Sequence, residues 1–352
     1  MQQKIDILSL TLQDLQQQLL SQGQKKFRAI QIFEWLHQKL IFSFEEMSNL
    51  SKHMQVQLNQ QYVIAPMRMV QELISMEDRT RKYLFELIDG NVIESVFMPY
   101  QHGNSVCISS QVGCKMGCTF CASGLDGFFR NLSASEMLLQ VYHIAKHTGE
   151  RISNVTVMGT GEPLDNYEEL LTFIRILTST EGYQLSGRNI TVSTCGIPPK
   201  IRQLAEEKLQ ITLALSLHGA TQEKRRVLMP IANRYELSEV MEACEYYFSK
   251  TGRRMSYEYS LVHGVNDTEE DAVELIQLLK GRNCHLNLIP VNPVTELSYQ
   301  RPNRTTSLTF KNKLEKSGIN VTIRREMGTD IDGACGQLRR SFHQDNTTTI
   351  VH

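Results

Sequence analysis

Three cysteines lie within eight residues, at Cys114, Cys118 and Cys121, and Cys107 lies seven positions upstream. Three closely spaced thiolates can bind three irons of a cubane cluster and leave the fourth iron without a protein ligand. A cluster closed by four cysteines passes electrons, whereas an open metal position lets a small molecule bind and be activated. The spacing therefore predicts a [4Fe-4S] cluster that takes part in chemistry.

A structural zinc site is the alternative, with Cys107 or a distant histidine as the fourth ligand. Zinc motifs usually combine one C-x-x-C pair with a second pair or with two histidines. The remaining cysteines are scattered singly, at Cys195, Cys244, Cys284 and Cys335. This distribution disfavours zinc.

The motif C-x-x-x-C-x-aromatic-C, with Phe120 before the last cysteine, resembles the signature of radical S-adenosylmethionine enzymes. Further segments resemble the RlmN family of dual-specificity ribosomal and transfer RNA adenine-C2 methyltransferases. These segments are GNSVCISSQVGC at 103–114, GTGEP at 159–163 and DIDGACGQL at 330–338. The resemblance runs from about Lys25 to Arg340 and rests on several separated motifs.

This resemblance implies an enzyme that methylates C2 of adenosine 2503 in the peptidyl transferase centre of 23S rRNA and of adenosine 37 in certain tRNAs. The implied cofactors are one [4Fe-4S] cluster on Cys114, Cys118 and Cys121 and S-adenosylmethionine, as methyl donor and radical source. The sister activity at C8 of the same rRNA adenosine, as in the Cfr enzymes, is the closest alternative. Residues 287–292 favour the C2 branch. A non-enzymatic RNA-binding protein with zinc is the alternative from another class.

Small and polar residues follow the predicted parallel strands, where a ligand would bind. Gly159 and Gly161 would allow a ligand to approach the backbone, and the polar side chains could bind a carboxylate, an ammonium group and a ribose. Such residues also cap βα turns without any ligand. The resemblance implies an S-adenosylmethionine site made of Gly161, Glu162, Ser193, Ser216, Leu217, His218 and Asn292. Cys195 departs from the family, in which serine is more usual, and it is predicted to be a small buried residue.

Cys335 lies in the segment Gly333-Ala-Cys-Gly336, where flanking glycines would let a thiol move between two partners. A buried structural cysteine is the alternative. The resemblance implies that Cys335 receives the methyl group that is later added to adenine. It also implies that Cys107 releases the product by forming a disulfide with Cys335.

Glu94 shares one face of the predicted strand 92–98 with Val92, Val96 and Met98. An acid among apolar neighbours is desolvated, which suits a group that takes up a proton. A glutamate on a solvated edge strand fits the pattern equally well. The resemblance implies that Glu94 is the proton acceptor, so Glu94→Gln is expected to lower turnover with little change in folding.

The composition, 41% hydrophobic and 21% charged over 352 residues, predicts one large and one small globular domain. We expect a cytoplasmic protein, because there is no long apolar run or leader and eight cysteines indicate no disulfide framework. The expected partners are 23S rRNA, tRNA and a flavodoxin- or ferredoxin-type electron donor, with no membrane and a monomeric state.

The net charge of −1 carries no global signal for nucleic acid. Basic pairs that could contact phosphate occur at 25–26, 81–82, 225–226, 253–254, 324–325 and 339–340. Each pair is explained as part of a solvent-exposed face, unless several of them lie around the entrance of one binding site.

Short β-rich runs alternate with helical stretches from Val106 onward, which predicts a parallel sheet that curls into an open barrel. The predicted strands are 106–110, 154–158, 189–193, 211–217, 255–261, 285–290 and 320–324. The fold class is therefore α/β, a partial (β/α)6 radical S-adenosylmethionine barrel. The predicted divisions are a helical RNA-binding-type domain at 1–62, an antiparallel β extension at 63–104, the barrel with its catalytic C-terminal loop at 105–340 and a polar tail at 341–352. The motifs follow the strands, so one shared site is expected at their carboxyl ends.

Overall fold

The structure is a computed structural model that describes residues 4–292, 297–331 and Leu338. Cys335, with the rest of the predicted C-terminal catalytic segment 332–337, lies outside the described residues. The polar tail at 341–352 lies outside them as well. Within the described residues, no helix has the length and apolarity needed to span a membrane.

The N-terminal module contains three helices and one small parallel strand pair. They are β1 (Ile5–Asp6), α1 (Leu12–Ser21), α2 (Lys26–His37), α3 (Lys52–Gln61) and β2 (Tyr62–Val63). A capping box between Thr11 and Asp14 starts α1. The second helix ends at His37, and Leu40 just beyond it has a left-handed φ of 57° that no α-helix continues.

Helix α2 also contacts the barrel through a buried histidine. His37 Nδ1 lies 3.0 Å from the Tyr142 hydroxyl, and both side chains are buried. Burial lowers the pKa of His37 to about 3, so the ring is neutral at pH 7. The contact joins the module to the domain that follows.

The predicted β extension consists of antiparallel strands. These are β3 (Met67–Ile74), β4 (Arg81–Leu87) and β5 (Val92–Tyr100), and β5 then pairs with β6 (Gly103–Ile108). Strand β6 begins earlier than predicted because Tyr100 pairs with Gly103 across a tight turn. As a result Cys107 lies near the carboxyl end of its strand, and not near the start as in the predicted strand 106–110.

A short hairpin and a capped helix follow β6. The hairpin strands β7 (Gln111–Gly113) and β8 (Phe128–Asn131) enclose the cysteine-rich loop. A capping box between Ser133 and Glu136 starts α4 (Ala134–Thr148). The loop is therefore held at both ends before the first crossover helix begins.

Counting β6 with α4 as the first, six βα units and a final strand form the barrel in the described residues, which confirms the predicted fold class. The remaining elements are β9 (Ile152–Val157), α5 (Tyr167–Thr178), β10 (Ile190–Thr194), α6 (Pro198–Glu206), β11 (Thr212–Ser216), α7 (Gln222–Leu228), α8 (Leu237–Thr251), β12 (Met255–Leu261), α9 (Glu269–Leu279), β13 (Cys284–Pro290), α10 (Arg304–Lys316) and β14 (Val321–Ile323). All of the barrel strands run parallel. Strand β6 pairs with both β5 and β9, so extension and barrel share one ten-stranded sheet.

Candidate active site

A cavity of about 630 Å³ opens at the carboxyl ends of the barrel strands. Its wall brings together residues from motifs that are far apart in the sequence: Cys107, Cys121, Ser193, Ser216, His218 and Asn292. Side chains of β5 complete the wall on the side of the antiparallel extension. The expectation that these motifs share one site is therefore met for the residues that line this cavity.

The cysteine loop is fixed to its surroundings by backbone hydrogen bonds. Cys114 N donates to Gly127 O at 3.0 Å, and Cys121 N donates to Cys118 O at 3.1 Å. Thr119 N donates to Leu228 O at 3.0 Å, at the end of α7. The loop is thus docked against a barrel helix as well as against its own hairpin.

The three motif thiols are close enough to affect one another electrostatically. Burial raises the pKa of Cys114 to about 11, and the neighbouring Cys121 adds to that shift. Burial also raises the pKa of Cys118 well above its usual range, with further increases from Cys121 and Cys114. Thiols with such pKa values hold their protons until a metal replaces them.

No three His, Cys, Asp or Glu side chains in the described part of the chain converge on a single point. The cysteines of a cubane each bind a different iron and need not meet at one atom. The donor set, three thiols on one short loop beside a cavity, fits a cubane held by three cysteines.

Gly159 and Gly161 are required by packing within the barrel. A side chain at Gly159 would come within 2.7 Å of Ile108 O, and one at Gly161 would come within 2.6 Å of Gln111 Cβ. Gly161 also has a φ of 112°, which favours glycine. The close approach at these positions is made by the end of β6 and the residues that follow, and a ligand contact at Gly161 stays a prediction.

Glu162 uses both carboxylate oxygens inside the protein. One oxygen accepts from Cys195 N at 2.7 Å and the other from Leu164 N at 3.0 Å. Burial raises the pKa of Glu162, and these hydrogen bonds oppose that shift. Glu162 therefore joins the loop after β9 to the loop after β10, while its predicted contact with the cofactor is untested.

Ser193 and Ser216 lie side by side in the cavity wall, with their hydroxyl oxygens 3.2 Å apart. His218 follows on the same strand end and has a left-handed φ of 54°. Its Nδ1 accepts from Ser260 N at 2.9 Å, and burial lowers its pKa to about 3. The imidazole is therefore neutral and carries its proton on Nε2.

Leu217 and Asn292 occupy contrasting environments. Leu217 is fully buried and its N donates to Glu258 O at 2.9 Å. Asn292 is exposed at the end of the described segment and lines the cavity. Only the second of these side chains is available at the surface of the cavity.

The Cys107 thiol packs among apolar side chains of β5. Cys107 pairs directly with Val96 in the sheet and clusters with Val96 and Met98. Both neighbours line the cavity beside it. Its predicted partner Cys335 lies outside the described residues, so the pairing of these two thiols stays a prediction.

Glu94 is buried and forms an ion pair with Lys82. The Lys82 Nζ lies 3.3 Å from a Glu94 carboxylate oxygen, and the two side chains are 0% and 4% exposed. The two residues lie diagonally across β4 and β5, since Lys82 pairs with Val96 and Leu84 with Glu94. The sequence left open whether Glu94 is desolvated or solvated, and the structure shows it buried. The sequence did not indicate the buried lysine, because an alternating strand pattern does not distinguish it from a solvated residue.

The basic pair at 225–226 is not a phosphate-binding surface. Arg225 is fully buried, and its Nε and Nη1 have no hydrogen-bond partner among the described residues. Arg226 is exposed and pairs with Glu236 at 2.6 Å. The pair at 81–82 is also unavailable, because Arg81 pairs with Glu72 and Lys82 is buried. These two pairs correct the prediction of solvated basic faces.

Basic side chains do reach the mouth of the cavity after β14. Arg324 and Arg325 are exposed and line it, together with Arg301, which pairs with Glu326.

Glu258 lies deeper in the same wall, and burial raises its pKa while a hydrogen bond from Asn287 opposes the shift. Sequence analysis missed Glu258, although a charged residue between the two tyrosines of β12 was a usable signal.

Two family models match this chain. Residues 108–276 match the model described as the Radical SAM superfamily. Residues 5–64 match the model described as the ribosomal RNA large subunit methyltransferase N-terminal domain.

Similar proteins cover nearly the whole chain. A protein of Lachnoclostridium phytofermentans named a probable dual-specificity RNA methyltransferase RlmN is 59% identical over 340 residues, which is 97% of this chain and 96% of that protein. A protein of Clostridium perfringens with the same name is 51% identical over 337 residues, covering 96% and 97% of the two chains. The crystal structure of a radical SAM methyltransferase from Sphaerobacter thermophilus superposes with a TM-score of 0.90 at 40% identity, covering 95% of this chain and 98% of that one.

Proposed function

Since this chain belongs to the RlmN family of radical S-adenosylmethionine RNA methyltransferases, we propose that it methylates C2 of an adenosine in 23S rRNA and in tRNA. The observation that carries this proposal is the single cavity lined by a cysteine of the cluster motif, the Cys107 thiol and polar groups at four strand ends. The proposed place of action is the cytoplasm, where both RNAs are available. A flavodoxin- or ferredoxin-type donor would supply electrons to a monomeric enzyme.

Enzymes of this superfamily use a [4Fe-4S] cluster and S-adenosylmethionine. Cys114, Cys118 and Cys121 would hold the cluster. Residues for S-adenosylmethionine would be Gly161, Glu162, Ser193, Ser216, Leu217, His218 and Asn292. When bound, the two groups supply a carbon radical that can remove a hydrogen atom from an unactivated methyl group. Such chemistry is needed because adenine C2, between two ring nitrogens, is too electron-poor to attack a methyl donor directly.

We assign the methyl-carrying role to Cys335 and the resolving role to Cys107. The Cys107 thiol lines the cavity, so it is available to form a disulfide with a thiol that enters there. Disulfide formation would break the bond between Cys335 and the methylated adenine. The chain on both sides of 332–337 supports this assignment: Thr329 lines the cavity, and Leu338 packs on Leu84 and Val92 of the neighbouring strands.

Glu94 is the proposed proton acceptor. Glu94 lies two residues before Val96 on the same face of β5, Val96 lines the cavity, and the Glu94 carboxylate is paired with Lys82. A carboxylate can act as the general base that takes the proton leaving adenine C2. The lysine would then hold the side chain in place between turnovers.

The RNA would be held at the mouth and one base would enter the cavity. Exposed Arg324 and Arg325 can contact phosphate oxygens without reading sequence. A cavity of about 630 Å³ has room for a nucleobase, which must leave its stack to enter. An adenosine in a loop or single strand is therefore the favoured target.

Nucleoside mass spectrometry of 23S rRNA and tRNA from a deletion strain and its parent tests the proposal. Loss of 2-methyladenosine from both RNAs in the deletion strain, restored by the parental gene and not by Cys118→Ala, is the expected result. Loss of 8-methyladenosine would instead identify the C8 activity. The two isomers have the same mass and are distinguished by their chromatographic retention times against standards. Unchanged nucleosides in both RNAs would overturn the proposal.

A further inference from the structure

Arg225 is a buried cation without an anionic partner in the described protein. Its side chain is 0% exposed, and no carboxylate of the described residues lies within ion-pair distance of it. Only Nη2 is satisfied, through donation to Cys195 O and, at 3.5 Å, to Ser216 O. A buried charge that is not compensated is costly, so its retention indicates that something compensates it.

The surroundings of the guanidinium are otherwise apolar and tight. A side chain at Gly196 would come within 3.0 Å of Nη2, and it would also meet Val240 and Leu215. Gly196 has a left-handed φ of 92° and leaves the space that the guanidinium occupies. The Arg225 guanidinium therefore fits behind the loop that follows β10 because residue 196 has no side chain.

The helix that carries Arg225 contacts the cysteine loop. Thr119, between Cys118 and Phe120, donates from N to Leu228 O at the last residue of α7. The Cys118 side chain packs against Cys195, Leu228 and Met229. Arg225 Nη2 donates to Cys195 O, so the guanidinium lies behind the same small cluster that the Cys118 side chain packs against.

We propose that Arg225 is an electrostatic positioning residue for the iron–sulfur cluster, supplying from behind the loop the positive charge that compensates the thiolate-bound cluster. A cubane with three thiolates carries a net negative charge, and that charge grows by one when the cluster is reduced. A fixed cation nearby favours the reduced state and holds the cluster more tightly. In return, the cluster provides the anionic partner that Arg225 lacks in the protein alone.

The inference rests on family membership and the cluster and not on the identity of the RNA. The test uses anaerobically reconstituted enzyme without RNA, so failure of the RNA assignment leaves it intact. Arg226→Gln is the matched control, because Arg226 is the adjacent arginine but is exposed and paired with Glu236. Arg225→Lys keeps the charge and loses the fork of donors, whereas Arg225→Gln loses the charge and keeps a donor.

Two measurements are made on each variant: iron and sulfide per chain, and the midpoint potential of the cluster by titration followed by electron paramagnetic resonance. For Arg225→Gln we expect the ratio of reduced to oxidised cluster at a fixed potential to fall roughly tenfold, which is a shift of about 59 mV to more negative values for a one-electron couple. Arg225→Lys should lie near the parent, and Arg226→Gln should equal it.

Thermal unfolding of the apoproteins covers the case in which Arg225→Gln does not retain iron. An apoprotein that melts at or above the parental temperature while failing to bind the cluster supports the proposal, because removing an uncompensated charge does not harm the empty protein. Parental iron with a parental midpoint in Arg225→Gln would overturn it. Loss of cooperative melting in the Arg225→Gln apoprotein would also overturn it, since the arginine would then serve the fold alone.

Discussion

Among the residues that the structure describes, one lysine and one arginine side chain are fully buried, and their charges are compensated in different ways. Lys82, on the antiparallel extension, has the Glu94 carboxylate 3.3 Å away. Arg225, on α7 of the barrel, has no carboxylate partner among the described residues and leaves two nitrogens unsatisfied. The charge of Lys82 is therefore compensated by a side chain of the protein itself. The charge of Arg225 is compensated only when an anionic group is bound, which points to the cluster loop that lies beside it.

The largest effect is expected when one cluster thiol is removed, because the cluster is the proposed anionic partner of Arg225. Cys118→Ala is expected to abolish cluster retention and RNA methylation, because an exposed iron makes the cubane labile. Iron and sulfide analysis after anaerobic reconstitution measures this. Cys244→Ala is the control, since Cys244 also interacts electrostatically with Arg225 but lies on α8, away from the loop. Parental iron in Cys118→Ala would refute the ligand assignment.

Replacement of Glu94 tests the buried ion pair that compensates the charge of Lys82. Glu94→Gln breaks a buried ion pair, which costs about 3–5 kcal/mol, so the expectation from sequence that folding would change little is revised. Denaturation of the apoprotein measures this cost. Glu86→Gln is the control, because the Glu86 pair with Arg68 is exposed and worth at most about 1 kcal/mol.

A double variant separates stability from catalysis at the same site. Lys82→Met with Glu94→Gln removes both charges and should recover most of the lost stability, because neutral replacements of buried pairs are well tolerated. Methylation should stay far below the parental rate, since the proposed proton acceptor is still absent. Recovery of both stability and turnover would show that Glu94 serves only as the partner of Lys82.

Buried histidines extend the comparison to groups that burial keeps neutral. The pKa of His37 falls from 6.5 to about 3 on folding, so the unfolded chain binds a proton between these values and the folded chain does not. The contribution of His37 to the free energy of unfolding is therefore fully present above about pH 6.5. Roughly 2 kcal/mol of it is lost at pH 5. Urea unfolding at both pH values should show a smaller loss for His37→Gln. An equal loss in parent and variant would assign the acid sensitivity elsewhere.

The smallest effect is expected for Cys195→Ser. Burial raises the pKa of Cys195 well above its usual range, so this thiol is neutral and cannot be the anion that compensates Arg225. Serine can keep the contact with Glu162, and stability should change by less than about 1 kcal/mol. Iron content and midpoint potential should equal those of the parent. A shifted midpoint would identify residue 195, and not the cluster, as the partner of the arginine.

The local signals in the sequence predicted the elements well. The antiparallel extension and the alternation of strands and helices both depend on residues close in the chain. The positions of the motifs after successive strands also predicted the shared cavity, because parallel strands end on one side of a sheet. Cys335 and its neighbours lie outside the described residues, so their predicted roles are tested only by experiment.

The sequence by itself determined the cysteine spacing, the βα alternation and the family. Tertiary structure alone decided which charges are compensated: it set Lys82 against Glu94, used both oxygens of Glu162 within the barrel and buried Arg225 while leaving Arg226 exposed. The physical reason is that spacing and periodicity are properties of a short stretch of chain. Burial and pairing of a charge depend on every segment that packs around it, and for Arg225 these are the ends of β10 and β11 and helix α8.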